Sequence, residues 1–176
     1  GSQNDMAKVC ILLWGGGALF ARGFAGPAAP YGGMSARGAL LGVTRGTSKA
    51  HLCRAVLESI AYESLDLFRA MEAGSGVQIS ELRVDGGASR SRFLMQYQAD
   101  ILHCAVRQPV CLETTALGSA MLAGLAVGVW DSLEELSTIW KLGHAYAPQI
   151  EPGEEEPALR RWHRAVERSR NWANAE

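Results

Sequence analysis

The chain has 176 residues, 48% of them hydrophobic, and a formal net charge of −1, which supports one globular domain with a sizeable core. Its 17 Lys and Arg nearly balance 18 Asp and Glu, so no basic footprint points to nucleic acid and none is expected as a partner. No basic segment precedes a short apolar one, and no uncharged apolar stretch reaches the ~20 residues of a membrane span, so neither secretion nor membrane insertion is expected.

Cys10, Cys53, Cys104 and Cys111 form no C-x-x-C pair, and none has a His at zinc-finger spacing. His103 beside Cys104 reads as a loop residue next to a small core residue. Unpaired thiols suit a reducing compartment, and a cytoplasmic location is expected. The leading Gly-Ser reads as a cloning remnant and is set aside.

In chain order, residues 8–46 are rich in Gly, Ala and Pro, with apolar runs at 9–14 and 39–43 between turn signals; strands and loops are expected there. From Thr47 the period turns helical. Leu52, Val56, Ile60, Leu67 and Met71 recur at spacings near three and four, Thr47 or Ser48 can cap the first turn, and Gly74 and Gly76 end the run, which predicts a helix over 47–73. ELRVDGG at 81–87 predicts a brief strand, and 90–103 a helix with Phe93, Leu94, Tyr97, Ile101 and Leu102 on or near one face. AVRQPVCL at 105–112 predicts another strand. TTALGSAMLAGLAVGVW at 114–130 predicts an apolar helix over 115–129, capped by Thr114 or Thr115. A polar link rich in Pro and Glu at 148–157 leads to an amphipathic helix over 158–172, with Leu159, Trp162, Val166 and Trp172 expected on its buried side.

Strand, helix, strand, helix is the order of an α/β sheet. The uncharged helix at 114–130 is short for a span. Gly118, Gly124 and Gly128 are expected to let a buried helix approach a sheet or a ligand, and the G-x-x-x-G at 124–128 is read as packing.

The stretch ELRVDGGASRSRF (81–93) holds the candidate site. A strand that ends at Asp85, Gly86 and Gly87 and runs through Ala88 into a helix exposes backbone N–H groups near the positive end of the helix dipole, where a phosphate or nucleotide edge can rest. The alternative is a tight turn that needs φ > 0, for which Gly is the low-cost residue. Asp85 can orient a metal-bound phosphate or bond the amides of its own turn; Arg90 and Arg92 can meet phosphate or stay solvated. No G-x-x-x-x-G-K-[ST], H-E-x-x-H or G-x-S-x-G occurs, and GGGALF at 15–20 lacks dinucleotide-fingerprint spacing.

APYGGMSARGALLGVTRGTSKAHLCRAVLESIAY, ELRVDGGASRSRFLMQYQADIL and ETTALGSAMLAGLAVGVW occur in the order and spacing of a known family. The chain resembles the C-terminal half of the glycerol-kinase branch of the FGGY carbohydrate kinases, from about Phe24 to a closing helix in RWHRAVERSRNW. Residues 1–23 stand apart as the cloning remnant and a poorly matching lead-in, and 24–176 as the nucleotide-binding domain. The resemblance implies an α/β fold of the actin-like, ribonuclease H-like ATPase class with a mixed sheet flanked by helices. It also implies ATP, with Mg²⁺ on its phosphates, bound beside Gly86, Gly87 and Ala88. Ser91 stands where many relatives place an Asn against the base. Glu113 to Ala120 match a segment near the nucleotide cleft, with Gly118 small for that reason or for helix packing. Gly32 and Gly33 replace a Trp-Asp pair, which implies an altered loop.

The family's polyol pocket and catalytic base lie mainly in an N-terminal domain that no segment here resembles. The implied partners are therefore that missing domain, ATP or ADP, and a small polyol or sugar in the full-length protein. The chain alone is expected to be inactive, with no catalytic residue assigned, and a homo-oligomer remains open. An FGGY kinase for another sugar or polyol, and a non-catalytic nucleotide-binding or pairing module, stand as alternatives.

Overall fold

The computed structural model of the chain describes residues 16–22 and 36–174. The strand expected at 9–14, and Gly32 and Gly33, lie outside the described residues. The remainder forms two compact units, one from residues before Ile79 together with those from Ile150 onward, the other Ile79–Gln149.

In the first unit, β1 (Leu19–Ala21) pairs antiparallel with β2 (Ala39–Leu41), Phe20 opposite Leu40. β2 fulfils the apolar run at 39–43 in shorter form. β1 overlaps the end of GGGALF and continues to Ala21. Gly16 and Gly17, at φ 59° and 80°, form the turn that opens it. Gly42, at φ 75°, lets this turn come close, since a Cβ there would overlap the Gly17 carbonyl.

α1 (Lys49–Ser75) starts on Ser48, whose hydroxyl accepts the His51 N–H while His51 Nδ1 accepts the Ser48 N–H at 3.0 Å. This is a reciprocal capping box with His in the usual Glu position. The helix runs through Gly74 and stops at Gly76, whose φ of 69° and N–H bond to the Glu72 carbonyl make a left-handed cap. Its buried stripe is Ala55, Glu58, Ser59, Ala61, Tyr62, Leu65 and Asp66. Val56, Leu67 and Met71, which marked the helix in the sequence, are exposed.

α5 (Glu156–Ser169) answers that stripe with Leu159, Trp162, Ala165 and Val166. Trp162 stacks on Tyr62 at 5.3 Å between centroids. Its indole N–H donates to Asp66 Oδ2 at 2.7 Å, and His163 Nε2 lies 2.9 Å from Asp66 Oδ1. Pro157 sits in the first turn of α5, where a missing N–H costs nothing. The helix therefore begins ahead of the expected 158. It ends ahead of 172 because Arg170 turns extended and Asn171 takes φ 58°. Trp172 leaves the apolar stripe and is 69% exposed, against expectation. Between Arg54 and Glu58 lies a largely buried ion pair of 2.6 Å. Burial pushes the Glu58 carboxyl up, and Arg54 and Arg161 oppose that shift.

The second unit is a mixed three-stranded sheet. β3 (Glu81–Arg83) runs parallel to β4 (Ala105–Pro109), joined by a crossover through α2 (Arg92–Leu102), and β5 (Leu142–Tyr146) pairs antiparallel with β4. A parallel pair requires such a crossover. α3 (Thr114–Ala126) and the short α4 (Leu133–Ser137) complete it. Leu94, Met95, Ala99, Ile101, Cys104, Val106, Leu136 and Tyr146 form its core.

α3 departs from the expected buried helix: Gly124 is its one buried residue among those described, and Leu122 is 64% exposed. The group that approaches Gly124 is the Trp130 ring, which a Cβ would overlap. Neither Thr114 nor Thr115 is the cap; Glu113 holds that position without a side-chain cap bond.

Candidate functional site

β3 and β4 are parallel, so their carboxyl ends open onto the same edge of the sheet, the place where α/β sheets accept ligands. The Asp85–Ala88 turn follows β3, and the 110–113 loop follows β4. The strand expected over 81–87 stops at Arg83, with the Val84 N–H continuing the ladder to the Arg107 carbonyl at 3.0 Å. A 3₁₀ turn, Gly87–Arg90, comes between the glycines and α2. The dipole of α2 thus begins at Arg92, later than 90.

Gly86 has φ 73° and ψ −177°, a region essentially reserved for glycine. Gly87 does not have positive φ, and a Cβ on it would meet nothing within 4 Å. The turn geometry explains the first glycine and leaves the second unexplained. Gly87 and Ala88 are exposed, so the backbone surface at this turn is open to solvent.

The underside of the turn is braced. Gly86 N–H donates to the Leu112 carbonyl at 2.9 Å, the buried Ser89 hydroxyl donates to the Gly86 carbonyl at 2.7 Å, and Gln108 Nε2 donates to the Ser89 carbonyl at 2.8 Å. The Thr114 hydroxyl donates to the Asp85 carboxylate. Arg90 and Glu113 lie 3.6 Å apart with both side chains well exposed, a weak pair. Ser91 is buried, and its hydroxyl accepts the Leu94 N–H at 3.3 Å as the N-cap of α2. Gly118 is not crowded, since a Cβ on it also meets nothing within 4 Å.

Sequence reasoning found the glycines and missed their supports. Ser89, four residues after Asp85, carried a turn signal, because a Ser hydroxyl often bonds a neighbouring backbone group. Nothing local marks Gln108, which reaches the turn from 19 residues away, whereas Thr114, 29 residues away, lies in the Glu113–Ala120 segment expected near the nucleotide cleft. Among the described residues, no group of three or more His, Cys, Asp or Glu could hold a metal ion, and no helix is long and apolar enough to cross a membrane.

Residues 3–127 match the model of the C-terminal domain of the FGGY family of carbohydrate kinases. A glycerol kinase from Janthinobacterium sp. (strain Marseille) is 54% identical over 157 residues, which is 89% of this chain and 32% of that protein. The chain therefore spans about a third of the length of the curated relatives it matches. Among solved structures, Plasmodium falciparum glycerol kinase with ADP aligns at a TM-score of 0.82 and 28% identity, over 96% of this chain and 34% of that one. Xylulose kinase from Lactobacillus acidophilus aligns at a TM-score of 0.69 and 24% identity, over 98% of this chain and 35% of that one, a likeness of fold alone. The mixed α/β fold is that of the actin-like ATPases, as expected.

Proposed function

The chain belongs to the FGGY family of carbohydrate kinases through their C-terminal domain, and from that premise we propose that it is the ATP-binding part of a glycerol-kinase-like enzyme. In the full-length protein it would hold the nucleotide while the γ-phosphoryl group passes to a hydroxyl of glycerol or a related polyol. The nucleotide-binding domain occupies residues 24–176 on this reading, and an N-terminal domain supplies the polyol pocket and the base.

The observation that carries the reading is Gly87. Neither its φ nor any neighbour requires a glycine, whereas a nucleotide lying against the Gly86, Gly87 and Ala88 backbone does. Ser91 contributes through the helix it caps. The residues present fit a nucleotide, which needs an open backbone edge. Among the described residues no group of three or more His, Cys, Asp or Glu could hold a metal ion, and Mg²⁺ would enter on the phosphates, as it commonly does. A cytoplasmic setting supplies ATP, and the thiols of Cys53 and Cys111 suit its reducing conditions.

Calorimetry with ADP tests the reading. Gly87→Val should fold like wild type by circular dichroism and bind ADP more weakly, by a larger factor than Ser91→Ala. Wild-type affinity in a folded Gly87→Val protein would reduce the glycines to a turn.

A further inference from the structure

We propose that Thr114 is a positioning residue for the nucleotide turn, holding the Asp85 carboxylate and through it the surface at Gly87; this rests on the reading of that turn as the nucleotide site. The bracing already described acts downstream of Asp85, on the Gly86 amide and carbonyl and on the Ser89 carbonyl. The peptide between Asp85 and Gly86 adjoins a residue with the conformational freedom of glycine. The Gly86 N–H bond to the Leu112 carbonyl holds that peptide at one atom, and the Thr114 hydroxyl adds a tie on the Asp85 side chain.

A second observation favours a role beyond helix stability. Thr114 is the first residue of α3, one past the Glu113 cap, and its hydroxyl reaches outside the helix to Asp85. The bond also joins the ends of β3 and β4, so the turn after one strand and the helix after the other are set together.

The test uses the full 176-residue chain as wild type, Thr114→Val, Thr114→Ser, Asp85→Ala and Thr115→Val. ADP affinity is read by calorimetry and amide hydrogen exchange at Gly86–Ala88 by mass spectrometry. Thr114→Val and Asp85→Ala should each weaken ADP binding about fivefold, the worth of one ordinary hydrogen bond, and should accelerate exchange at the turn. Their double variant should show no further loss, because both remove the same interaction. Thr114→Ser should restore both readouts, and Thr115→Val should match wild type. Thr114→Val matching wild type in exchange, or Thr114→Ser failing as Thr114→Val does, overturns the positioning role. Absence of ADP binding in wild type would instead overturn the nucleotide reading, and the exchange comparison would still decide whether Thr114 holds the turn.

Discussion

At Gly86 the backbone occupies φ 73° and ψ −177°, where any side chain is strained, while at Gly87 a Cβ would point into open space. The two neighbours should therefore respond oppositely to the same substitution. Gly86→Ala should cost about 1–3 kcal/mol of stability. Gly87→Ala should leave stability unchanged or raise it by about 0.4–1 kcal/mol, because the unfolded chain loses freedom that the folded chain does not use. Ser91→Ala should cost about 1 kcal/mol through the lost cap of α2. Urea unfolding of the three variants beside wild type reads all of these. A Gly87→Ala protein destabilised as much as Gly86→Ala would mean that the fold itself requires the second glycine, and the argument from Gly87 to a ligand would fail. A stabilised protein that binds ADP less well would show a position kept for function at the expense of the fold.

Elements were legible in the sequence where large apolar residues, glycines and caps agreed, and illegible where the buried groups are small or polar. The β3–α2–β4 run was readable because short runs around Leu82 and Val106, the first closed by Gly86 and Gly87, flank a helix that carries Leu94 and Ile101. β5 was not, because Leu142, Gly143, His144 and Ala145 are all exposed and only Tyr146 is buried, so no alternation marks it. α4 carried a signal that went unread, the Ser-x-x-Glu of a helix start, with Ser132 Oγ accepting the Glu135 N–H at 3.2 Å. α1 shows the same limit: aliphatic spacing located the helix, yet its contact with α5 runs through Tyr62 and Asp66. That contact should be costly to lose. Asp66→Ala would leave the buried Trp162 indole N–H without its acceptor, at about 1–3 kcal/mol, whereas Asp66→Asn keeps an acceptor and should cost less; urea midpoints separate them. Glu58, on the same helix, sets a pH dependence. Burial raises its folded pKa above the unfolded value, so the folded chain holds the proton more tightly. Its stabilising effect is complete below the ordinary glutamate range and is lost as pH rises through the folded value. Glu58→Gln removes that titration. The stability of wild type relative to the variant should fall as pH climbs through this window, and a flat difference across it would contradict the assignment.

For the whole molecule, the decisive quantity is how much of a kinase is present. The chain spans about a third of its glycerol kinase relatives, with 89% of it aligned to 32% of one of them. The family match to a C-terminal domain covers residues 3–127. Phosphoryl transfer depends on holding the attacking hydroxyl, the γ-phosphate and the leaving oxygen in line, with a carboxylate placed to take the hydroxyl proton. On the proposed reading this chain supplies a surface for the nucleotide and nothing that grips the polyol. It should therefore bind ADP weakly and turn over no ATP in the presence of glycerol. A coupled assay for ADP release, run on protein purified free of host kinase, checks this. The sharper arm compares wild type with Gly87→Val: any turnover that belongs to the chain should fall with the variant, whereas turnover from a contaminant should ignore it. Glycerol-dependent activity that copurifies with the chain and responds to Gly87 would place a polyol site and a proton acceptor within these 176 residues, and the division of labour between two domains would be wrong.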